Sequence, residues 1–450
     1  MPSIAQIAQA MRSVFVERAA LAARVAGFVQ RQRELTGPRF VQLTVASFLA
    51  HPDAGYETLV GVASDYGVLI SPQGLANRFD QRAVTLLELT LRAAMQQSLA
   101  ADPAVLPLLN RFVAVSVEDS TVIALPDALA DRFPGCGGNR NNAKAACKAQ
   151  FRWELRSGRL EGPLLHEGRA SDRAVTFRER VVEGTLRIRD LGYWQLDELK
   201  QDAEDGRFWL SRLKPGTALF VADGTRIELF ELLTVDTPDQ QEWAVQMGVR
   251  QKLDCRLIAR RVAKEEQEAR KRRTAKTAKR KGRSVSAAAE ARCEWDVVVT
   301  NVPQELLSAE EVWVLLGVRW QIELLFKLWK SHGKLDVSRG VLPARVLCEL
   351  YAKFIALLVQ HWLLLAGCWQ YANRSLVKAS RVVRAWGERL FRALVDGESQ
   401  RLETVLEAVI AAISRVRRQT RRKTEPGTWE LLGGVPATET GEPTALHVFT

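Results

Sequence analysis

Asp119, Asp190 and Glu323 are set apart from the other acidic residues of this chain by what surrounds them. Asp119, followed by Ser120 and Thr121, closes a β-prone run made by Phe112, Val113, Val115 and Val117. Asp190 closes a second run, residues 185–189, and Leu191, Gly192 and Tyr193 follow it. Glu323 stands in a basic and aromatic stretch. At about 3.6 residues per turn it shares one helix face with Arg319, Lys327 and Lys330, while Ile322, Leu325, Phe326 and Trp329 point elsewhere. Such a face could hold a metal ion and a nucleic-acid phosphate together, because carboxylate oxygens are the ligands hard divalent ions prefer and need no Cys or His beside them. Plainer readings exist for each residue. A surface helix carries Glu and Lys at this spacing for a few tenths of a kcal/mol of ion pairing, and aspartates cap turns.

The elements that must position these residues follow from periodicity. The order is a strand to Asp119, a β-hairpin over residues 148–155 and 160–166 around Ser157 and Gly158, a helix near residues 173–182, and a strand to Asp190. That order predicts an α/β domain whose mixed sheet brings Asp119 and Asp190 together at neighbouring strand ends. The Gly- and Asn-rich residues 134–142 lack the Lys-Ser/Thr and helix of a phosphate-cradling loop and read as a flexible loop. Further β-like runs occupy residues 208–213, 218–221, 227–233, 243–249 and 252–258. Residues 264–283 then hold ten Lys or Arg against three Glu, which suits either a solvated segment or contact with phosphates. A strand over 295–300 leads to Ser308 and Glu311, a capping-box start for the helix that runs toward Glu323.

At the N-terminal side, residues 7–29, 41–49 and 83–95 show helical spacing. Residues 56–66, Gly67, and a short helix opened by Ser71 and Pro72 form a helix-turn-helix pattern; Gln73, Asn77 and Arg78 would read DNA, although any helical hairpin gives the same pattern. The C-terminal part is again helical, with a basic end at residues 415–423 and a Gly-, Pro- and Thr-rich tail. The boundaries that result are 1–105, helical and DNA-binding; 106–205, first part of the core; 206–300, a β-rich insertion containing the basic segment 264–283; 301–372, second part of the core with the Glu helix; and 373–450, a helical region and tail.

With 450 residues the chain can bury more than one core. Its 64 Lys and Arg against 52 Asp and Glu, a net charge of +12, favour a polyanionic partner, though a protein can be basic without one. Six cysteines show no Cys-x-x-Cys pair and no zinc-finger His spacing, which argues against a zinc module or a disulfide framework and fits a reducing cytoplasm. The first residues lack the layout of a signal peptide. The apolar run 354–369 is short for a membrane span and carries Gln360 and His361, so a buried helix with a hydrogen-bonded histidine is expected.

The spacing of Arg319, Glu323 and Lys330, the Asp119-Ser-Thr and Asp190-Leu-Gly-Tyr segments, the approach at residues 300–303 and the insertion between them resemble the DDE transposases of bacterial insertion sequences, IS-four family. The family signature on the last catalytic helix is Tyr, two residues, Arg, three residues, Glu, six residues, Lys; here the Tyr position is Leu316. The resemblance covers about residues 105–370. It implies an RNase H-like core interrupted by a β-rich insertion, Asp119 as bridging ligand of two Mg²⁺ ions with Mn²⁺ as a substitute, and Asp190 and Glu323 as ligands of one ion each. Two such ions, roughly 4 Å apart, activate the attacking oxygen and neutralise the phosphate. By the same resemblance Arg319, Lys327 and Lys330 would hold DNA phosphates, and Trp295 and Trp320 are candidates to stack a flipped base during hairpin formation. The implied activity is cut-and-paste transposition of an insertion sequence, with terminal inverted-repeat DNA and target DNA as partners, a homodimer at the synaptic stage, a cytoplasmic, nucleoid-associated location and no membrane. A metal-dependent nuclease of the same fold, or a non-catalytic DNA-binding relic, are the alternatives.

Overall fold

The computed structural model describes residues 1–28, 34–97, 99–103, 106–137, 143–173, 177, 182–234, 236–369, 375–416 and 432. In chain order the first helices are α1 (Ile4–Arg12), a π-helical stretch (Ser13–Arg18), α2 (Ala19–Val25), α3 (Gly37–Ala50), α4 (Tyr56–Asp65), α5 (Pro72–Ala76) and α6 (Gln81–Met95). Strands β1 (Ala114–Leu125), β2 (Ala145–Glu154), β3 (Leu160–Glu167) and β4 (Thr185–Arg189) precede α7 (Leu196–Glu204) and β5 (Phe208–Arg212). Next come β6 (Leu219–Phe220), β7 (Arg226–Ile227), α8 (Leu229–Leu232), β8 (Gln240–Met247), β9 (Leu253–Arg261), α9 (Lys264–Arg280), α10 (Ala287–Glu294) and β10 (Trp295–Thr300). The chain closes with α11 (Ala309–Val318), α12 (Trp320–Ser331), α13 (Pro343–Cys368), α14 (Leu376–Val395) and α15 (Ser399–Ser414).

Caps set several of these boundaries. The Ser71 side chain accepts from the Gly74 N–H before Pro72, and Ser308 and Glu311 bond each other's backbone in a capping box. Both starts agree with the sequence, as do the hairpin β2–β3 and the strand β10.

The chain forms two compact units. The first comprises Met1–Val105, Asp119–Val175 and Ile322–Arg422. Its centre is α13, buried from Arg345 to Cys368 and packed by α3, α6, α14 and α15. The apolar window of this helix has the length and hydropathy of a membrane span, yet all of it is covered by protein. His361, inside it, bonds the Gly158 carbonyl at 2.8 Å, so the sequence reading of a core histidine holds. Phe151 of β2 meets Phe326 and Trp329 of α12 and Phe354 of α13, with ring centroids 4.9–6.2 Å apart, which seats the Glu323 helix on the hairpin.

The second unit comprises Leu106–Glu118, Thr176–Gln321 and Lys423–Thr450. Here β1 pairs in parallel with β4 and β4 with β5, after which β10, β9, β8, β6 and β7 follow in antiparallel fashion. Trp194, Leu199, Trp209, Met247, Leu257 and Val299 form its core. Strand β1 passes from the second unit to the first between Glu118 and Asp119. The order β3-β2-β1-β4-β5, with β1, β4 and β5 parallel, is the mixed α/β, RNase H-like plan the resemblance implied.

Three expectations change. The strand before Asp119 does not stop there but continues to Leu125, so the aspartate lies inside β1. Residues 227–233 are not a strand: β7 ends at Ile227 and α8 follows, opened by a capping box of Glu228 and Glu231. Residues 208–213, read as the start of the insertion, form β5 against β4. The expected helix near 173–182, the loop tip at 138–142, most of the basic end at 415–423 and the tail fall largely outside the described residues.

Candidate active site

In the second unit the last paired residues of β1 and β4 are Glu118 and Arg189. Side chains alternate along each strand. On one face Glu118, only 3 % exposed, lies 3.2 Å from Arg187 Nη2 and 3.3 Å from Arg189 Nε. Arg187 also pairs with Asp202 at 2.7 Å, Arg207 with Asp202 at 2.9 Å, and Arg189 with Glu198 at 2.8 Å. Burial pushes the Asp202 carboxyl above its usual range, against the pull of Arg187 and Arg207. The opposite face carries Val117 and Ile188, both fully buried. A one-residue slip would drive Glu118 into that apolar face, so the ion network pins the register. Alternation carries Asp119 to the side of Val117. Asp190, still extended at φ −78° and ψ 165°, follows the end of β4 and opens the single turn Leu191–Tyr193.

In the first unit an Asp119 carboxylate oxygen accepts from the Ser120 N–H at 2.8 Å. The Ser120 hydroxyl donates to Asp172 at 2.7 Å, and Lys148 Nζ donates to the same Asp172 oxygen at 3.0 Å and to the Ala170 carbonyl at 2.6 Å. Lys148 pairs across the hairpin with His166, whose imidazole is held below its ordinary pKa by burial and then by Lys148. Sequence reasoning missed this group. A signal was present: Lys148, Gln150 and Arg152 recur at every second position of β2, and polar residues in a covered strand need partners.

On α12, Ile322, Leu325, Phe326, Leu328 and Trp329 are buried, Glu323 and Lys330 are half-buried and Lys327 is exposed, as the periodicity predicts. Lys330 Nζ donates to the Val122 carbonyl at 2.9 Å, which fastens α12 to β1 three residues beyond Asp119. Burial lowers the pKa of this lysine, with Asp336 opposing. Beyond α12, Arg384 donates to the His332 carbonyl at 2.9 Å. Burial first, then Arg384, Arg381 and Lys334, depress the His332 imidazole, so these cations form a positive patch that the sequence reading also missed.

The remaining candidates separate by exposure. Trp295 is 3 % exposed, packed on Leu233 and Ala259 with the Arg261 guanidinium 4.3 Å above its ring. Its place opening β10 draws it into the core. Trp320 and Arg319 are half-buried. Trp329 and Trp362 are core residues. Gln73 and Asn77 are exposed and bond each other at 3.2 Å, and Arg78 is half-buried. The α5 helix that carries Gln73 spans five residues and buries Leu75. Leu316, at the signature Tyr position, is a half-buried residue of α11.

Among the described residues, no group of three or more His, Cys, Asp or Glu side chains is gathered closely enough to hold an ion. Asp119, Asp190 and Glu323 offer oxygen donors only, the chemistry that suits a hard divalent cation. All six cysteines are free, and five are buried.

Residues 114–359 match the family described as transposase DDE domain, and the chain belongs to that family. It is a DDE-type transposase, an enzyme that acts on DNA. It is similar to the transposase for insertion sequence element IS231F of Bacillus thuringiensis subsp. israelensis, 29 % identical over 74 % of each chain. It is 25 % identical, again over 74 % of each chain, to the transposase for insertion sequence element IS1151 of Clostridium perfringens. A cryo-EM structure of the piggyBac transposase synaptic complex with hairpin DNA aligns with a TM-score of 0.43 and 8 % identity, covering 92 % of this chain and 81 % of that one.

Proposed function

We propose that the protein moves an insertion sequence by cut-and-paste, with Asp119, Asp190 and Glu323 as catalytic metal ligands. The observation that carries this reading is the β1–β4 register: its last pair, Glu118 and Arg189, is followed along the chain by Asp119 within β1 and by Asp190 just past the end of β4. The fastening of α12 to β1 through Lys330 supports adding Glu323 to the set. Family membership implies a divalent-metal requirement, and the all-carboxylate donor set favours Mg²⁺, with Mn²⁺ as a substitute. When bound, such ions would lower the pKa of the attacking water or 3′-hydroxyl and neutralise charge on the phosphate.

The chain's own residues supply the rest. Arg319 and Lys327 would hold backbone phosphates of the transposon end. Lys330 would first exchange its bond to Val122 for a phosphate oxygen. Trp320, beside Arg319, would stack a base extruded when the second strand is cut through a hairpin. Gln73, Asn77 and Arg78 on the α4–α5 hairpin would read the inverted repeat. Two copies would hold two ends, in the cytoplasm at the nucleoid, and the DNA-binding, core, insertion and C-terminal regions would divide the work along the sequence boundaries given above.

Asp119→Ala is expected to abolish Mg²⁺-dependent cleavage of duplexes that carry the element's end while leaving binding of those duplexes within a few-fold. Cleavage at the wild-type rate would remove Asp119 from the site. A strand-transfer assay with pre-cut ends separates this reading from a simple nuclease, which would yield no joined product.

A further inference from the structure

We infer that the outward face of α9 is a docking surface for the phosphate backbone of duplex DNA, through Arg272, Lys276, Lys279 and Arg280. This deepens the transposase reading by assigning a DNA contact outside the metal ligands, and it rests on that reading.

The helix is two-sided. Its inner side is tied to its own unit. Arg270 bonds Asp296 and Glu266, both at 3.1 Å, Lys271 bonds Glu294 at 2.7 Å, and the Thr274 hydroxyl lies 3.5 Å from the Cys293 thiol of α10. Its outer side is bare. No residue of α9 is buried, and Arg272, Arg273, Lys276, Lys279 and Arg280 are exposed. Arg273 reaches Glu266 at 4.0 Å; Arg272, Lys276, Lys279 and Arg280 have no ion pair among the described residues. From Arg272 to Arg283 the sequence holds seven cations and no acid.

Helix stability alone does not explain that face. Acidic residues at the start and cations at the end complement the helix dipole, which accounts for Glu265, Glu266, Lys279 and Arg280. Arg272 and Lys276 lie mid-helix, where the dipole has no hold on them. Like charges one turn apart cost the helix a few tenths of a kcal/mol per pair. The anchors at Arg270 and Lys271 keep the helix from turning over, so four cations stay presented along roughly 12 Å of rise. One strand of a duplex carries a phosphate about every 3.4 Å of axis, and four cations over that rise come close to this spacing.

The test is fluorescence-anisotropy titration of the full-length protein at several salt concentrations. The quadruple variant Arg272→Gln, Lys276→Gln, Lys279→Gln, Arg280→Gln is compared with wild type on an end-bearing duplex and on a duplex lacking the end. The slope of log affinity against log salt should become shallower by about three to four units on at least one duplex, and affinity there should fall roughly a hundred-fold or more. Loss on only one duplex assigns the surface to end DNA or to target DNA. A charge-preserving variant, Arg272→Lys with Arg280→Lys, should keep the wild-type slope; a loss there with unchanged circular dichroism would point to geometry rather than phosphate charge and overturn the inference. Unchanged slopes on both duplexes, or a loss seen only with single-stranded RNA, would also overturn it. The Asp119→Ala result stands apart from all of these.

Discussion

His361 shows how one buried side chain writes a pH dependence into the fold. It bonds the Gly158 carbonyl at 2.8 Å, and burial lowers its pKa to about 4, with that hydrogen bond opposing. The folded state therefore keeps the ring neutral while the unfolded chain takes up a proton below its ordinary value of about 6.5. Stability from this residue is whole above that pH and is lost as pH falls toward 4, by up to about 3 kcal/mol. His361→Gln keeps a donor for Gly158 and removes the titration. Urea denaturation at pH 7 and pH 5 should show wild type losing about 2 kcal/mol more than the variant across that interval. Equal losses would mean that the ring is not held neutral. That His361 would be a satisfied core residue was legible from its place in an apolar run. Its partner was not, because Gly158 lies some two hundred residues earlier in the chain.

Elements whose boundaries are written locally were the most legible. Ser71 with Pro72 and Ser308 with Glu311 announce helix starts by hydrogen bonds to their own backbones, and the hairpin announces itself by a Ser-Gly turn between alternating runs. Strand β1 was cut short for the opposite reason. Glu118, Asp119 and Ser120 look like a turn until their partners are known, and Arg187, Arg189 and Asp172 supply those partners from distant segments. The same holds where α13 meets the α4–α5 hairpin. Arg345, almost fully buried, lies with its guanidinium 4.2 Å from the Phe79 ring and 4.5 Å from that of Tyr56, and 3.7 Å from Glu349, which Lys353 approaches at 3.0 Å. Glu349→Met should cost about 3–5 kcal/mol in chemical denaturation, because it leaves the buried cations Arg345 and Lys353 without the carboxylate they share. Replacing Arg345, Glu349 and Lys353 together by Met should recover most of that loss, since the desolvation of all three charges disappears with them. A triple variant no better than the single one would show that the ring contacts, not the charges, hold the hairpin.

At the scale of the molecule, the helices of residues 1–105 could be read from their periodicity, whereas the faces they cover could not. Residues 1–105 read as a separate helical region because their periodicity ends before the first strand. In the structure they belong to the same compact unit as α12, α13, α14 and α15. Helices α3 and α6 lie on α13, α3 lies on α14, and the Phe15 ring meets Phe391 edge-on at 4.9 Å. Gln42 donates to the Phe15 carbonyl at 3.1 Å, so even the polar bonds of this region close within the shared core. Pattern along a sequence reports that a face is apolar but not which other face will cover it. The consequence concerns truncation. A chain lacking residues 1–105 would leave one side of α13 open, a continuous apolar strip of a 26-residue helix, and exposed strips of that size drive association. Residues 106–450 expressed alone should elute as aggregates in size-exclusion chromatography and bind a hydrophobic dye strongly. A soluble monomer of that fragment, cleaving DNA with Mg²⁺, would mean that the N-terminal helices are a detachable DNA-binding module after all and that α13 finds other cover.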